Sequence, residues 1–191
     1  MTLILVRHGE TALNAARVLQ PADTPLGARG IAQAVAVARR IAGLGPVALL
    51  SSDLERARQT ADAIATATGL PLETEPLLQE RSFGDWRGRP WTDLPCPPAA
   101  LVDAPPGGES MADFEHRVAA AWAAVLRRQA RSGGTLVVVT HGLVIHRLLL
   151  AHAALPAGTT MPQQLGNCSL SLLDAAPPHA VTLLGCTRHL D

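Results

Sequence analysis

Four consecutive apolar residues, Leu3 to Val6, run directly into Arg7-His8-Gly9-Glu10-Thr11, with Asn14 three positions further on. A short apolar run with β-branched members, closed by glycine, predicts a strand buried on both faces, as in a parallel sheet. That points to an α/β architecture, in which ligands bind beyond the carboxyl ends of the strands. Arg7 and His8 therefore leave the strand where chemistry is expected, and Gly9 lets the backbone pass close to a bound group. Thr11 is placed to cap a short helix, and Asn14 lies one turn later on the same side. A guanidinium, an imidazole, a bare backbone and an amide converge, which suits an anionic substrate attacked by histidine.

Two further strand ends carry reactive residues. Val47 to Leu50 ends in Ser51-Ser52-Asp53, followed by Leu54-Glu55-Arg56. Asp53 is expected to cap the next helix, and Arg56 falls in its first turn, where side chain and helix dipole both attract an anion. Leu136 to Val139 ends in Thr140-His141-Gly142 and echoes the opening pattern. Two His-Gly pairs at strand ends predict imidazoles facing one pocket. No H-E-x-x-H or carboxylate-rich cluster accompanies them, and no G-x-G-x-x-G or P-loop is present, so neither a metal nor a cofactor is expected. His146 and His152 read as helix-packing residues, and His116, His179 and His189 as surface ones.

The remaining periodicities predict a helix over Ala28–Leu44 with Ile31, Val35, Ala38 and Ile41 or Ala42 inward, and a helix ending near Thr68. A short strand over Pro71–Thr74, a long helix over Glu109–Arg131 and a strand over Thr135–Thr140 follow. A helix over Gly142–Ala154 and strands over Cys168–Leu173 and Val181–Leu184 complete the chain. From Gln79 to Ser110, Phe83, Trp86 and Trp91 sit among glycines and prolines. That texture predicts a lid packed by its own side chains, an excursion of roughly residues 81–108. The expected fold is a three-layer α/β/α sandwich with a mostly parallel central sheet flanked by helices, in one domain over 1–191.

Composition narrows the partners. With 191 residues, 48% apolar and 17% charged, the chain suits one compact domain. Its formal net charge of zero gives no reason to expect nucleic acid or an anionic membrane as partner. All 16 cations are arginine, so a phosphate site must be built from guanidinium groups, whose fork suits phosphate oxygens. Cys96, Cys168 and Cys186 are odd in number and lack a C-x-x-C spacing, which favours a reducing compartment. The start, MTLILVRHGE, lacks signal-peptide features, and the cytoplasm is the expected location. Thr135–Leu155 is apolar enough in length to span a bilayer, but its histidines and β-rich start predict strand, turn and buried helix. Monomer and homodimer both stay open.

Read together, five ordered motifs resemble the histidine phosphatase superfamily, the phosphoglycerate mutase-like proteins. They are Arg7-His8-Gly9-Glu10-Thr11 with Asn14; Ser51-Ser52-x-Leu54-x-Arg56-Ala57-x-Gln59-Thr60-Ala61; Glu80 with Phe83-Gly84-x-Trp86-x-Gly88; Gly107-Gly108-Glu109-Ser110; and Thr140-His141-Gly142. The Glu80 segment and the short lid are similar to the broad-specificity and α-ribazole phosphatase branch.

The resemblance implies a nucleophilic His8 that forms a phosphohistidine, with Arg7, Arg56 and His141 holding phosphoryl oxygens. Asn14, Thr11, the Gly142 amide and Arg81 would contact substrate, and Glu80 would serve as general acid and base. The expected activity is hydrolysis of a small phosphorylated metabolite. Phosphoglycerate mutase-type transfer and a silent phospho-ligand binder are the alternatives, and Arg81, Arg87 or Arg89 would serve a second anion in a mutase. Neighbouring arginines are expected to keep Glu80 ionised until a phosphate dianion arrives. The chain departs from the family pattern at Gln20-Pro21, where many relatives carry glycine, and at Gly27, where threonine is usual.

Overall fold

The computed structural model describes residues 1–191. Six strands form one sheet: β1 (Thr2–Arg7), β2 (Ala48–Ser51), β3 (Leu72–Thr74), β4 (Leu136–Thr140), β5 (Leu170–Asp174) and β6 (Val181–Cys186), in the order β3-β2-β4-β1-β5-β6. β3, β2, β4 and β1 run parallel, while β5 is antiparallel to both β1 and β6. Alternation along the central strands divides the core. Leu3, Leu5, Leu136 and Val138 face a cluster that includes Phe114, Val118 and Trp122 of α4 (Met111–Ser132) and Val144 and Leu148 of α5 (Gly142–His152). Ile4, Val6, Val137 and Val139 face Ala34, Val37 and Ile41 of α2 (Ala28–Ala42) and Ala57, Ala61 and Ile64 of α3 (Glu55–Thr68). The expected α/β/α sandwich is the observed one. The apolar stretch from Thr135 is a strand followed by an 11-residue helix, and no helix is long and apolar enough to cross a membrane.

This arrangement creates the crevice. After β1 and the four-residue α1 (Ala12–Ala15), the chain supplies α2 to one face, whereas after β4 it supplies α5 to the other. β1 and β4 are neighbours, so their carboxyl ends open between two chains departing in opposite directions, a topological switch point. Register does the rest. Arg7 pairs with Thr140 and the His8 N–H donates to the Thr140 carbonyl at 2.9 Å, which brings His8 beside His141.

Two local expectations are corrected. In α2 the buried face is Gly30, Ala34, Val37, Ala38 and Ile41, while Ile31 and Val35 are 57% and 42% exposed. The Gly30 face turns inward because α2 seats against the β1–α1 turn: a Cβ on Gly30 would lie 2.0 Å from the Glu10 carbonyl oxygen. Gly30→Ala should therefore destabilise the fold by about 1–3 kcal/mol, as overpacking does, lowering Tm in a thermal melt and weakening turnover by displacing the turn after His8. An unchanged Tm would show that the helix shifts freely. At α3 the cap is Leu54, not Asp53, whose carboxylate instead accepts from Gln79 Nε2 at 2.8 and 3.0 Å.

The excursion after Glu80 packs Phe83 and Leu101 against Leu19 of the loop before α2, with Trp86, Trp91, Leu94, Cys96 and Leu143 of α5 around them, so its small core is shared with the sandwich. Its two ends meet at Gly84 (φ +51°), where a Cβ would fall 2.0 Å from the Pro106 carbonyl oxygen. Only glycine fits that crossing.

Candidate active site

A cleft of about 680 Å³ opens over the carboxyl ends of β1, β2 and β4, bordered by Arg7, His8, Asn14, Arg56, Glu80 and Gly142. His8 is 2% exposed; its Nδ1 lies 2.7 Å from the Gly9 carbonyl oxygen. A carbonyl only accepts, so Nδ1 carries the proton and Nε2 holds the free lone pair. The His141 ring is fully buried with its centroid 5.1 Å from that of His8, and its Nε2 lies 2.9 Å from Ser52 Oγ. Ser52 is placed by its own N–H, which donates to Val139 across the β2–β4 pairing.

The guanidinium groups are held incompletely. Arg7 Nη1 donates to the Leu165 carbonyl and Arg56 Nη1 to the Pro21 carbonyl. Arg7 Nε, Arg56 Nε and His141 Nδ1 are buried without any hydrogen-bond partner. Buried polar groups left this way are costly. Arg7 and Arg56 border the cleft and His141 lies beside His8, so this end of the cleft carries the chemistry to take an anion. Gly142 contributes by lacking a side chain: its Cβ position is 3.4 Å from Arg7 Nε, so the guanidinium lies against the start of α5.

Burial decides the charge states. It pushes His8 and His141 well below the ordinary histidine value, and the nearby Arg56 and Arg7 push in the same direction. His8 is therefore a neutral imidazole near pH 7. Burial also lowers Arg56, to about 10. For Glu80, burial opposes the arginines. Burial raises its carboxyl above the usual range and outweighs the opposing pull of the Arg81 and Leu143 N–H groups and of Arg56 and Arg7. Those two N–H groups donate to Glu80 Oε1 at 3.1 Å and Oε2 at 3.2 Å, fixing the carboxyl at the start of α5.

Two residues expected to contact substrate are already engaged inside the protein, although Arg81 also borders the cleft. Arg81 is 2% exposed, and its guanidinium donates to the carbonyls of Glu109, Leu101 and Asp103; it ties the lid together. Thr11 is buried, caps α1 by accepting from Asn14 N at 2.9 Å, and donates to Gln20 Oε1 at 2.8 Å. That last bond also shows what Gln20 does in place of the family's glycine. Asn14 does border the cleft, but its Oδ1 is taken by Thr11 N and Asn167 Nδ2, so only its NH2 is left for a ligand.

Other residues were missed or misplaced. Asn167, just before β5, donates to the His8 carbonyl at 3.0 Å and braces Asn14, a contact no local pattern announces. His146 borders the cleft and does not merely pack its helix. His179 is 7% exposed, edge-on to Trp122 at 5.0 Å, so it is not a surface residue. Of the lid aromatics, Phe83 and Trp91 line the cleft, whereas Trp86 sits under Arg89 at 5.8 Å.

Residues 3–184 match the histidine phosphatase superfamily, branch 1, and the chain belongs to that superfamily. A curated relative, the Yersinia pestis (strain Pestoides F) protein named "Probable phosphoglycerate mutase GpmB", is 37% identical over 207 residues, with 100% of this chain and 95% of that protein covered. Among solved structures, the α-ribazole phosphatase from Shigella flexneri superposes with a TM-score of 0.83 at 28% identity, covering 98% of this chain and 97% of that one. A mycobacterial glucosyl-3-phosphoglycerate phosphatase in complex with VO3 gives 0.74 at 32% identity, covering 91% and 90%.

Proposed function

We propose that this chain is a phosphomonoesterase that hydrolyses a small phosphorylated metabolite through a phosphohistidine on His8. The observation that carries the reading is the trio of partnerless donors, Arg7 Nε, Arg56 Nε and His141 Nδ1, gathered around a neutral imidazole. In the proposed first step His8 Nε2 attacks phosphorus in line, and the P–O bond to the alcohol breaks. Arg7, Arg56 and His141 stabilise the charge on the equatorial oxygens, with Ser52 Oγ–H donating to Nε2 of His141 so that Nδ1 keeps its proton. Glu80 protonates the departing alcohol. In the second step the Glu80 carboxylate takes a proton from water as it attacks phosphohistidine, releasing phosphate and restoring both groups.

The name of the Yersinia relative favours a second reading, transfer between hydroxyls of a phosphoglycerate. A mutase must hold a second anion. Arg81 is occupied by carbonyls and Arg89 lies over Trp86, which leaves Arg87 and Arg17 at the rim of the cleft. Free phosphate from p-nitrophenyl phosphate, with no 2-phosphoglycerate formed from 3-phosphoglycerate, supports the phosphatase. The opposite pair of results overturns it.

The pH profile follows from the same charges. The acid must be protonated to act; burial raises Glu80 above the usual carboxylate range, and a bound phosphate dianion would raise it further. Activity should fall as pH rises through the Glu80 value, and Glu80→Gln should lose that limb. A flat profile from about pH 5 to 9 would rule out a titrating Glu80 as the donor.

A further inference from the structure

Arg117, in the second turn of α4, makes contacts that the steps above leave unused. Its Nη1 donates to the carbonyls of Leu77 at 2.8 Å and Gln79 at 2.7 Å, and its Nη2 to that of Glu80 at 3.3 Å. The same guanidinium meets Glu109 in a two-point pair, Nε to Oε1 at 2.7 Å and Nη2 to Oε2 at 2.8 Å. Both side chains are about four-fifths buried, with 19% and 20% exposure. Glu109 Oε2 accepts the Ser82 N–H at 2.7 Å, and the Glu109 carbonyl accepts from Arg81. One guanidinium and one carboxylate therefore grip the backbone on both sides of Glu80, at the neck where the lid leaves and rejoins the sandwich.

This is more than general packing. Residues 77–83 have no sheet partner, since β3 ends at Thr74, and their 3-10 turn is three residues long. Without the clamp, the carbonyls of Leu77 and Gln79 lose the hydrogen bonds found for them. Arginine's planar fork can serve three carbonyls and a carboxylate together, which a lysine point charge cannot. We propose that the Arg117–Glu109 pair is the positioning device for Glu80, holding its carboxyl where it meets the leaving oxygen and coupling that placement to the lid.

The inference rests on the role of Glu80 proposed above, and leaving-group dependence tests the two separately. The value of kcat/KM reports the first irreversible step, transfer to His8. An alkyl ester such as β-glycerophosphate needs its leaving oxygen protonated, whereas 2,4-dinitrophenyl phosphate expels an already stable anion. Arg117→Met should lose about 10- to 100-fold on the alkyl ester, less than the roughly 10²–10⁴-fold of removing a general acid outright, and less than about threefold on the dinitrophenyl ester. Arg117→Lys should fall between it and wild type. Glu109→Gln, which keeps an acceptor for Ser82 N–H, should show the same selective loss in milder form and gives the same reading should Arg117→Met not fold.

Glu80→Gln is the reference. The inference alone fails if Glu80→Gln shows the selective loss while the folded Arg117 and Glu109 variants lose activity equally on both esters, or not at all. If Glu80→Gln itself treats the two esters alike, Glu80 is not the acid and both readings fall.

Discussion

His8→Ala should abolish turnover, lowering kcat on the order of 10⁴-fold or more, as loss of a covalent nucleophile does elsewhere. The expected damage is chemical. The His8 backbone is held independently of its ring, through the N–H to Thr140 and the carbonyl to Asn167 Nδ2 and Cys168 N. The only hydrogen bond of the imidazole goes to the next residue. The variant should therefore fold and still bind inorganic phosphate through Arg7 and Arg56, visible as a phosphate-dependent rise in Tm. Wild type quenched in alkali during turnover of labelled ester should carry a phosphorylated histidine, and the variant none. A variant that matches wild type in turnover would end the phosphohistidine reading.

That site was legible where chemistry and chain direction coincide. A buried strand running into Arg7-His8-Gly9, and another into Thr140-His141-Gly142, places both imidazoles at one end of a parallel sheet once the strands are adjacent. The sandwich followed from the same periodicities. What stayed hidden depends on depth and on distant partners. In α2, both the Ile31–Val35 stripe and the Ala34–Val37–Ile41 stripe satisfy helical spacing; close approach to the Glu10 backbone selects the one that carries Gly30. The neighbours of Glu80 could be guessed from the arginines, but the sign of its shift depends on how much water is lost, which a sequence does not state. Arg81 looked like a ligand cation because its three acceptors are carbonyls, and carbonyls have no residue type to recognise. Arg117 escaped notice for the same reason.

Arg56→Met should separate function from stability, raising one while removing the other. Arg56 is 2% exposed, has no ion-pair partner within salt-bridge distance, and satisfies only one guanidinium bond within the protein. Its depressed value, about 10 against an ordinary 12.5, means that the folded, ligand-free protein disfavours the charge. A base lowered on folding costs stability at all pH below its folded value, and the penalty fades as pH rises through it. At neutral pH that is on the order of 3 kcal/mol. Methionine occupies a similar volume without charge, so the variant's ligand-free Tm should rise by about 2–4 °C for each kcal/mol regained. With Arg56 holding the phosphoryl oxygens as proposed, the same substitution should lower kcat/KM by about 10²–10³-fold. Phosphate should then raise the Tm of wild type far more than that of the variant, so their melting order narrows or reverses as phosphate is added. On the proposed mechanism, catalysis depends on keeping a charge where the empty protein disfavours it. A ligand-free Arg56→Met protein that melts below wild type would show that the guanidinium already serves the fold, and the functional account of its burial would be wrong.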